Sequence, residues 1–132
     1  MDAVRRNNSR GNPRPDARRA RGAHGEALTV DHYVAAGYEI LDRNWRCRQG
    51  ELDLVAHRDR VLVFCEVKTR SSDRFGAPIE AITREKRQRI RVLAGRWLDV
   101  HKPVVREVRF DVASVLLGAD GSAVVDVMEG AF

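Results

Sequence analysis

The sequence predicts an α/β fold with the element order α-β-β-β-α-β-β, in which helices flank a mixed central sheet. Two segments place apolar residues at helical spacing, and five others are rich in β-branched and apolar residues bounded by turn signals. A chain of 132 residues has room for one domain with one modest core. We therefore expect a single domain over residues 24–132, preceded by an N-terminal arm.

The N-terminal arm is rich in arginine and poor in large apolar side chains. Residues 1 to about 23 carry arginines at seven positions (5, 6, 10, 14, 18, 19 and 21) and also include Pro13 and Pro15. Such a segment cannot bury enough surface to offset the entropy of ordering it, so we expect residues 1–23 to be disordered. It is either a solvated leader or an electrostatic arm for nucleic acid.

The first helix is expected from Gly25 to Ala36, with Gly37 as its stop signal. Its apolar residues recur at helical spacing, at Ala27, Val30, Tyr33 and Val34. Glu26 falls in the first turn of this helix, where interaction with the helix dipole alone explains an acidic residue.

Three strands are expected next. The first covers Tyr38–Arg48 and ends at the turn Gln49-Gly50, and the others cover about 51–57 and 61–68. The short polar connection His57-Arg58-Asp59-Arg60 is typical of an antiparallel hairpin.

A loop over Thr69–Ala77 precedes the second helix, which Pro78 opens and which ends at about Asp99. Its apolar stripe consists of Ile79, Ile82, Ile90, Leu93, Ala94 and Trp97. The basic middle of this helix is either an ordinary solvated face or a surface that follows phosphates. Two closing strands, Val104–Leu117 and Ala123–Met128, flank a turn that contains Gly118 and Gly121.

The central hairpin places three ionisable residues, Asp53, Glu66 and Lys68, in runs that otherwise resemble buried strand. A buried charge costs several kcal/mol unless it is paired or binds a metal. Because side chains alternate along a strand, Glu66 and Lys68 share one face, and Asp53 on the neighbouring strand can lie beside them. Two carboxylates and a lysine suit one Mg²⁺ ion, but the carboxylates also suit structural ion pairs with Lys68, Arg46 or Arg70.

The ordered set of motifs resembles the bacterial YraN-like family of proposed endonucleases, within the restriction-endonuclease-like PD-(D/E)xK superfamily. Archaeal-type Holliday-junction resolvases are similar in spacing. Leu52 stands where the motif that names the superfamily has proline. The segments that carry the resemblance are Gly25-Glu26, Asn44-Trp45-Arg46-Cys47-Arg48, Gly50-Glu51-Leu52-Asp53-Leu54, Phe64-Cys65-Glu66-Val67-Lys68-Thr69-Arg70 and Asp73-Arg74-Phe75-Gly76.

This resemblance implies a restriction-endonuclease-like core and a phosphodiesterase site that uses Mg²⁺ or Mn²⁺. The implied catalytic residues are Glu26, Asp53, Glu66 and Lys68. The implied metal ligands are Asp53, Glu66 and the backbone carbonyl of Val67. Nucleic acid would be contacted by basic residues beyond the site, which are Arg70, Arg84, Lys86 and Arg87.

The expected function is therefore a metal-dependent endonuclease, with DNA favoured over RNA. Structure-specific cutting is favoured because a short chain has little spare surface for reading base edges. A nucleic-acid-binding module that keeps the fold without turnover is the alternative. A protein-interaction adaptor is disfavoured, because every apolar stripe is better assigned to the core.

Composition agrees with an anionic partner, since the net charge is +5 and the pI is about 9.9. Cys47 and Cys65 are expected to be reduced core thiols, and the four histidines have no ligand spacing. No apolar run approaches a membrane span, and no signal peptide is recognisable. We expect a cytoplasmic protein without a membrane partner, which would be a homodimer if it cuts both strands of a junction.

Overall fold

A computed structural model describes residues 15–71 and 82–132. The described elements follow the predicted order of one helix, three strands, a second helix and two strands. They are α1 (Pro15–Ala35), β1 (Glu39–Cys47), β2 (Gly50–Arg58), β3 (Val61–Ser71), α2 (Arg84–His101), β4 (Glu107–Leu117) and β5 (Ala123–Met128).

The five strands form one mixed sheet in the order β1-β2-β3-β4-β5. Neighbouring strands are antiparallel except for β3 and β4, which pair in parallel from Val61 with Glu107 to Ser71 with Leu117. The connection between these parallel strands contains α2, as a parallel pair requires a crossover. The α/β class and the mixed sheet are thus confirmed.

Helix α2 covers one side of the sheet. Its ends are set by Thr83, whose side chain accepts the backbone N–H of Lys86 at 3.1 Å, and by Lys102, a left-handed residue whose N–H bonds to the carbonyl of Leu98. The buried cluster on this side combines α2 with β2 and β3, and consists of Leu52, Val55, Leu62, Phe64, Ile90, Leu93, Ala94 and Trp97.

Helix α1 covers the other side of the sheet. Its core residue Tyr33 packs with Tyr38, Leu54, Ala56, Val63, Cys65 and Ala113. At Gly25 the helix touches β3 so closely that an added Cβ would overlap the Oγ1 atom of Thr69. The strand β3 therefore lies between both helices and between β2 and β4.

A buried carboxylate joins α1 to β4 and to the C-terminal residues. Asp111 has no exposed surface and accepts hydrogen bonds from the Tyr33 hydroxyl at 2.7 Å and the Gly130 N–H at 3.0 Å. Arg109 donates to both carboxylate oxygens, at 2.8 and 2.9 Å. Burial, followed by Cys65 and Asp111, raises the pKa of Tyr33 above its ordinary value, so this hydroxyl stays a proton donor.

Several predicted boundaries were wrong. Helix α1 begins at Pro15 rather than Gly25, so residues 15–23, which were assigned to a disordered arm, lie in a helix. Alanine and arginine are strong helix formers, Pro15 suits the first helical position, and Asp16 lies in the first turn. Residues 1–14 of the predicted arm lie outside the described residues.

Strand β3 continues to Ser71 where a loop was expected from Thr69, because β4 provides hydrogen-bonding partners to that point. Helix α2 begins at Arg84, and Ile82 and Thr83 are not helical, since the Thr83 side chain caps the helix. The expected start at Pro78 and the stripe residue Ile79 lie outside the described residues. Strand β4 begins at Glu107 rather than Val104.

Both cysteines lie in strands, as predicted. Both thiols are free; Cys65 is buried in β3 and Cys47 is half-buried in β1. Among the helices that the structure describes, neither has the length and apolar character needed to cross a membrane.

We expect Asp111→Asn to lower the free energy of unfolding by about 3 kcal/mol. An amide has one acceptor oxygen for the donors that now share two, and the half-buried Arg109 loses its closest carboxylate and keeps only Glu129, at 3.6 Å. Chemical denaturation measures this loss. The matched control is Asp126→Asn, an exposed residue of β5, for which we expect a change within about 0.5 kcal/mol. Equal losses in the two variants would contradict the structural role of Asp111.

Candidate active site

The candidate site lies where β2 and β3 separate. Their pairing runs from Arg58 with Val61 up to Leu54 with Cys65, and Asp53 and Glu66 are the next residues on the two strands. Beyond the last pair, a side chain takes over from the backbone: the Oδ2 atom of Asp53 accepts the N–H of Val67 at 2.9 Å. The hairpin register therefore brings Asp53 beside Glu66, as the alternation of side chains predicted.

The surroundings of Asp53 disfavour the ionised form of its carboxyl group. Burial, and next the negative charge of Glu66, raise the pKa of Asp53 from 3.8 to about 7, although the Val67 N–H acts in the opposite direction. The charge of Glu26 and a hydrogen bond with the Glu66 side chain raise it further. The charges of Glu66 on β3 and Glu26 on α1 thus both act on Asp53 of β2.

Glu26 reaches the site from the middle of α1. The helix begins eleven residues earlier, at Pro15, so the helix-dipole explanation for Glu26 does not apply. Asn44 of β1 donates from Nδ2 to the Oε1 atom of Glu26 at 2.9 Å. The close contact between Gly25 and Thr69 sets the approach of α1 to β3, and Glu26 is the next residue along the helix.

Glu66 has a lysine partner, but this partner comes from α2. The Nζ atom of Lys86 lies 2.7 Å from the Oε2 atom of Glu66, whose side chain is only 11% exposed. Among the residues that the structure describes, Lys86 rather than Lys68 pairs with Glu66. Arg46, another partner considered for Asp53 and Glu66, pairs instead with Glu51 at 3.3 Å.

A cleft of about 330 Å³ opens between these strands and α2. Acidic side chains from β2 and β3 face basic side chains from α2 across it. The lining residues are Gln49, Gly50, Glu51, Asp53, Glu66, Lys86, Arg89, Ile90 and Leu93. A cleft with acidic strands on one side and a basic helix on the other can hold a cation and a phosphate together.

Sequence reasoning missed Arg89 as a residue of the cleft. Lys86, Arg89, Ile90 and Leu93 follow the spacing i, i+3, i+4 and i+7, which places them on one face of a helix. Since Ile90 and Leu93 were assigned to the core, the same spacing indicated that Lys86 and Arg89 lie at the edge of the buried face. That signal was available in the sequence.

The other predicted site residues lie around the cleft rather than in its lining. Lys68 is half-buried in β3, opposite Ser114 of β4, and Arg70 follows two residues later. Arg84 is exposed in the first turn of α2. Arg87 donates from Nε to the carbonyl of Ile82 at 2.9 Å, so it helps to hold the start of α2.

The oxygen donors at the site fit a hard cation such as Mg²⁺. This ion is bound through one or two carboxylates and keeps several waters, and Asp53, Glu66 and the Val67 carbonyl offer suitable atoms. A cation would stabilise the ionised form of Asp53, which burial and the charge of Glu66 disfavour. Within residues 15–71 and 82–132, no group of three or more histidine, cysteine, aspartate or glutamate side chains forms a metal cage.

A family model described as Uncharacterised protein family UPF0102 matches residues 25–115. The chain belongs to the UPF0102 family. The matched region begins at the Gly25 contact and ends in β4, so it contains every residue that lines the cleft.

UPF0102 proteins of three organisms are similar to this chain over nearly their whole length. One from Frankia casuarinae is 51% identical over 88% of this chain and 98% of its own length. One from Beutenbergia cavernae is 52% identical over 86% of this chain and 97% of its own length. One from a Nocardioides species is 48% identical over 86% of this chain and 91% of its own length.

We expect Asp53→Asn to stabilise the metal-free protein in a pH-dependent way. The folded chain holds a proton on Asp53 up to about pH 7, whereas the unfolded chain releases it near pH 3.8, so wild-type stability falls as the pH rises through this range. The asparagine variant lacks this fall. It should match the wild type at pH 4 and exceed it by about 1 kcal/mol or more at pH 8.

Chemical denaturation with chelator at pH 4, 6 and 8 measures the difference, with Asp126→Asn as the exposed control. If Asp53 were instead the partner of a buried cation, the asparagine variant would lose about 3–5 kcal/mol at pH 8. That result would contradict the electrostatic account of the site.

Proposed function

We propose that the protein is a metal-dependent phosphodiesterase, an endonuclease that acts on nucleic acid. The observation that carries this proposal is the convergence of Glu26, Asp53 and Glu66 at the point where β2 and β3 separate. Burial and the charges of Glu66 and Glu26 disfavour the ionised form of Asp53, so a ligand that needs these carboxylates explains their placement better than packing does.

In this proposal Asp53, Glu66 and the carbonyl of Val67 hold Mg²⁺ or Mn²⁺. When bound, the ion neutralises charge on the phosphate and favours ionisation of water near it. Glu26 completes the acidic set from α1, through a water molecule or directly. The Val67 N–H keeps the Asp53 carboxylate oriented, because it donates to one of the carboxylate oxygens at 2.9 Å.

The lysine and arginine side chains near the cleft would bind the phosphates of the substrate or stabilise charge on them. Lys68 lies two residues beyond Glu66 on β3, and its proposed role is to orient the attacking water or to stabilise the pentavalent phosphorane. Arg89 lines the cleft, and the exposed Arg84 lies just over one turn earlier on α2. With Arg70 on β3, these residues would hold the neighbouring phosphates of the strand.

We further propose that the fold is restriction-endonuclease-like and that the substrate is branched or otherwise structured DNA. The element order, the acidic hairpin and the parallel pairing of β3 with β4 support the fold. The small domain supports recognition of shape over base sequence. The proposed setting is the cytoplasm, and cutting both strands of a junction would take two copies of the chain.

A nucleic-acid-binding module without turnover is the second candidate. The contact that favours it is the ion pair between Lys86 and Glu66, which engages one proposed metal ligand in the protein. In this case the basic side of the cleft would bind phosphates and the carboxylates would have no ligand role.

We expect the protein to cleave at least one member of a panel of junction, flap, single-stranded and duplex DNA and RNA in Mn²⁺ or Mg²⁺. Asp53→Asn and Glu66→Gln should each reduce the rate by about 100-fold or more, since both remove a negative charge from the ion's site. Product analysis by gel electrophoresis measures this, with Asp126→Asn as the control. Nucleic acid that is bound equally well by all variants and never cut would favour the second candidate.

We expect deletion of residues 1–14 to weaken nucleic-acid binding without unfolding the protein. The deletion removes four arginines, so fewer counterions are released and the salt dependence of affinity should become shallower. Fluorescence anisotropy at several salt concentrations and a thermal melt measure the two effects. An unchanged salt slope would show that this part of the arm does not touch nucleic acid.

A further inference from the structure

The side chain of Lys86 forms an ion pair with one of the proposed metal ligands, Glu66. Its ammonium lies 2.7 Å from Glu66, and the pair is only partly exposed, at 38% for Lys86 and 11% for Glu66. Charges at such a distance in a partly desolvated cleft interact more strongly than a surface pair. The contact therefore matters for whatever else binds to Glu66.

The backbone of Lys86 is fixed while its side chain is long and flexible. Thr83 caps the helix by accepting the Lys86 N–H, and Arg87 ties the same turn to the Ile82 carbonyl. From this fixed point the four-carbon stem of lysine can move its ammonium by several ångströms. The ammonium can thus leave Glu66 without any change in α2.

A divalent ion and the Lys86 ammonium compete for the same carboxylate. A carboxylate has free lone pairs for more than one partner, but two cations on one such group would repel each other strongly. A divalent ion that also binds Asp53 gains a second carboxylate that Lys86 does not contact in the structure. The ion would therefore take Glu66 from the lysine.

We propose that Lys86 is a positioning residue that serves as an internal counter-cation: it neutralises and orients Glu66 in the metal-free protein, and a divalent ion displaces it. This inference rests on the proposed metal site. It adds that this chain carries its own competitor for the ion, on α2 rather than on the hairpin that supplies the ligands.

Lys86→Gln tests the inference without any measurement of cleavage. Calorimetric titration with Mg²⁺ alone should show tighter binding than in the wild type, by on the order of fivefold, because no ammonium has to be displaced. The metal-free variant should melt at a lower temperature than the wild type, since Glu66 has lost its partner. This difference should shrink or reverse at saturating Mg²⁺.

Two further variants make the result specific. Arg96→Gln removes the same charge from an exposed position ten residues further along α2, and it should change the Mg²⁺ affinity by less than about twofold. Lys86→Met also removes the charge and keeps the aliphatic bulk, so it reports the same effect if the glutamine variant does not fold. A common gain in all three variants would mean a general charge effect, and the proposal would be wrong.

The outcomes separate this inference from the proposed function. If the wild type binds Mg²⁺ and the Lys86 variants bind it equally or more weakly, Lys86 is no competitor and the metal site remains. If the wild type and both Lys86 variants bind no Mg²⁺ or Mn²⁺, the metal site itself is refuted, and this inference with it. If only the Lys86 variants bind the ion, the competition is stronger than proposed and the inference is upheld.

Discussion

The hydrogen bond from the Val67 N–H to Asp53 is the interaction on which the site depends. It is formed at the first position where the β2–β3 ladder has no further backbone pair, so it closes the hairpin with a side chain. A neutral side chain could close the hairpin as well. Asp53 instead places a carboxylate where burial and the charge of Glu66 both disfavour its ionised form. The protein keeps this electrostatic cost at one end of its central hairpin.

Each carboxylate of the site is held by a different kind of contact. Asp53 is fixed by a backbone amide, Glu66 by a lysine and Glu26 by the side-chain amide of Asn44. Asn44 itself has a left-handed backbone, with φ at 53°, inside the strand β1. The two helices and the first three strands therefore all contribute to the position of three small groups.

Local pattern was enough to predict the strands and the meeting of Asp53 with Glu66, because alternation and a short polar turn fix the register of a hairpin. The ion pair of Lys86 with Glu66 depends on how α2 crosses the sheet, and no local pattern specifies that angle. The start of α1 was misplaced because arginine content suggested disorder, while the helix propensity of the alanines and arginines in residues 15–23 favoured a helix.

The buried carboxylate of Asp111 links distant parts of the chain. It holds Tyr33, which lies seven residues after Glu26 on α1, and it also holds the Gly130 N–H. The Ala131 N–H bonds to the Phe110 carbonyl, and Phe132 stacks on the Phe110 ring at 5.2 Å. Removing the last three residues would take away contacts that hold Asp111 and Phe110 in place. Because Asp111 in turn holds Tyr33 of α1, the C-terminal residues help to position the helix that carries Glu26.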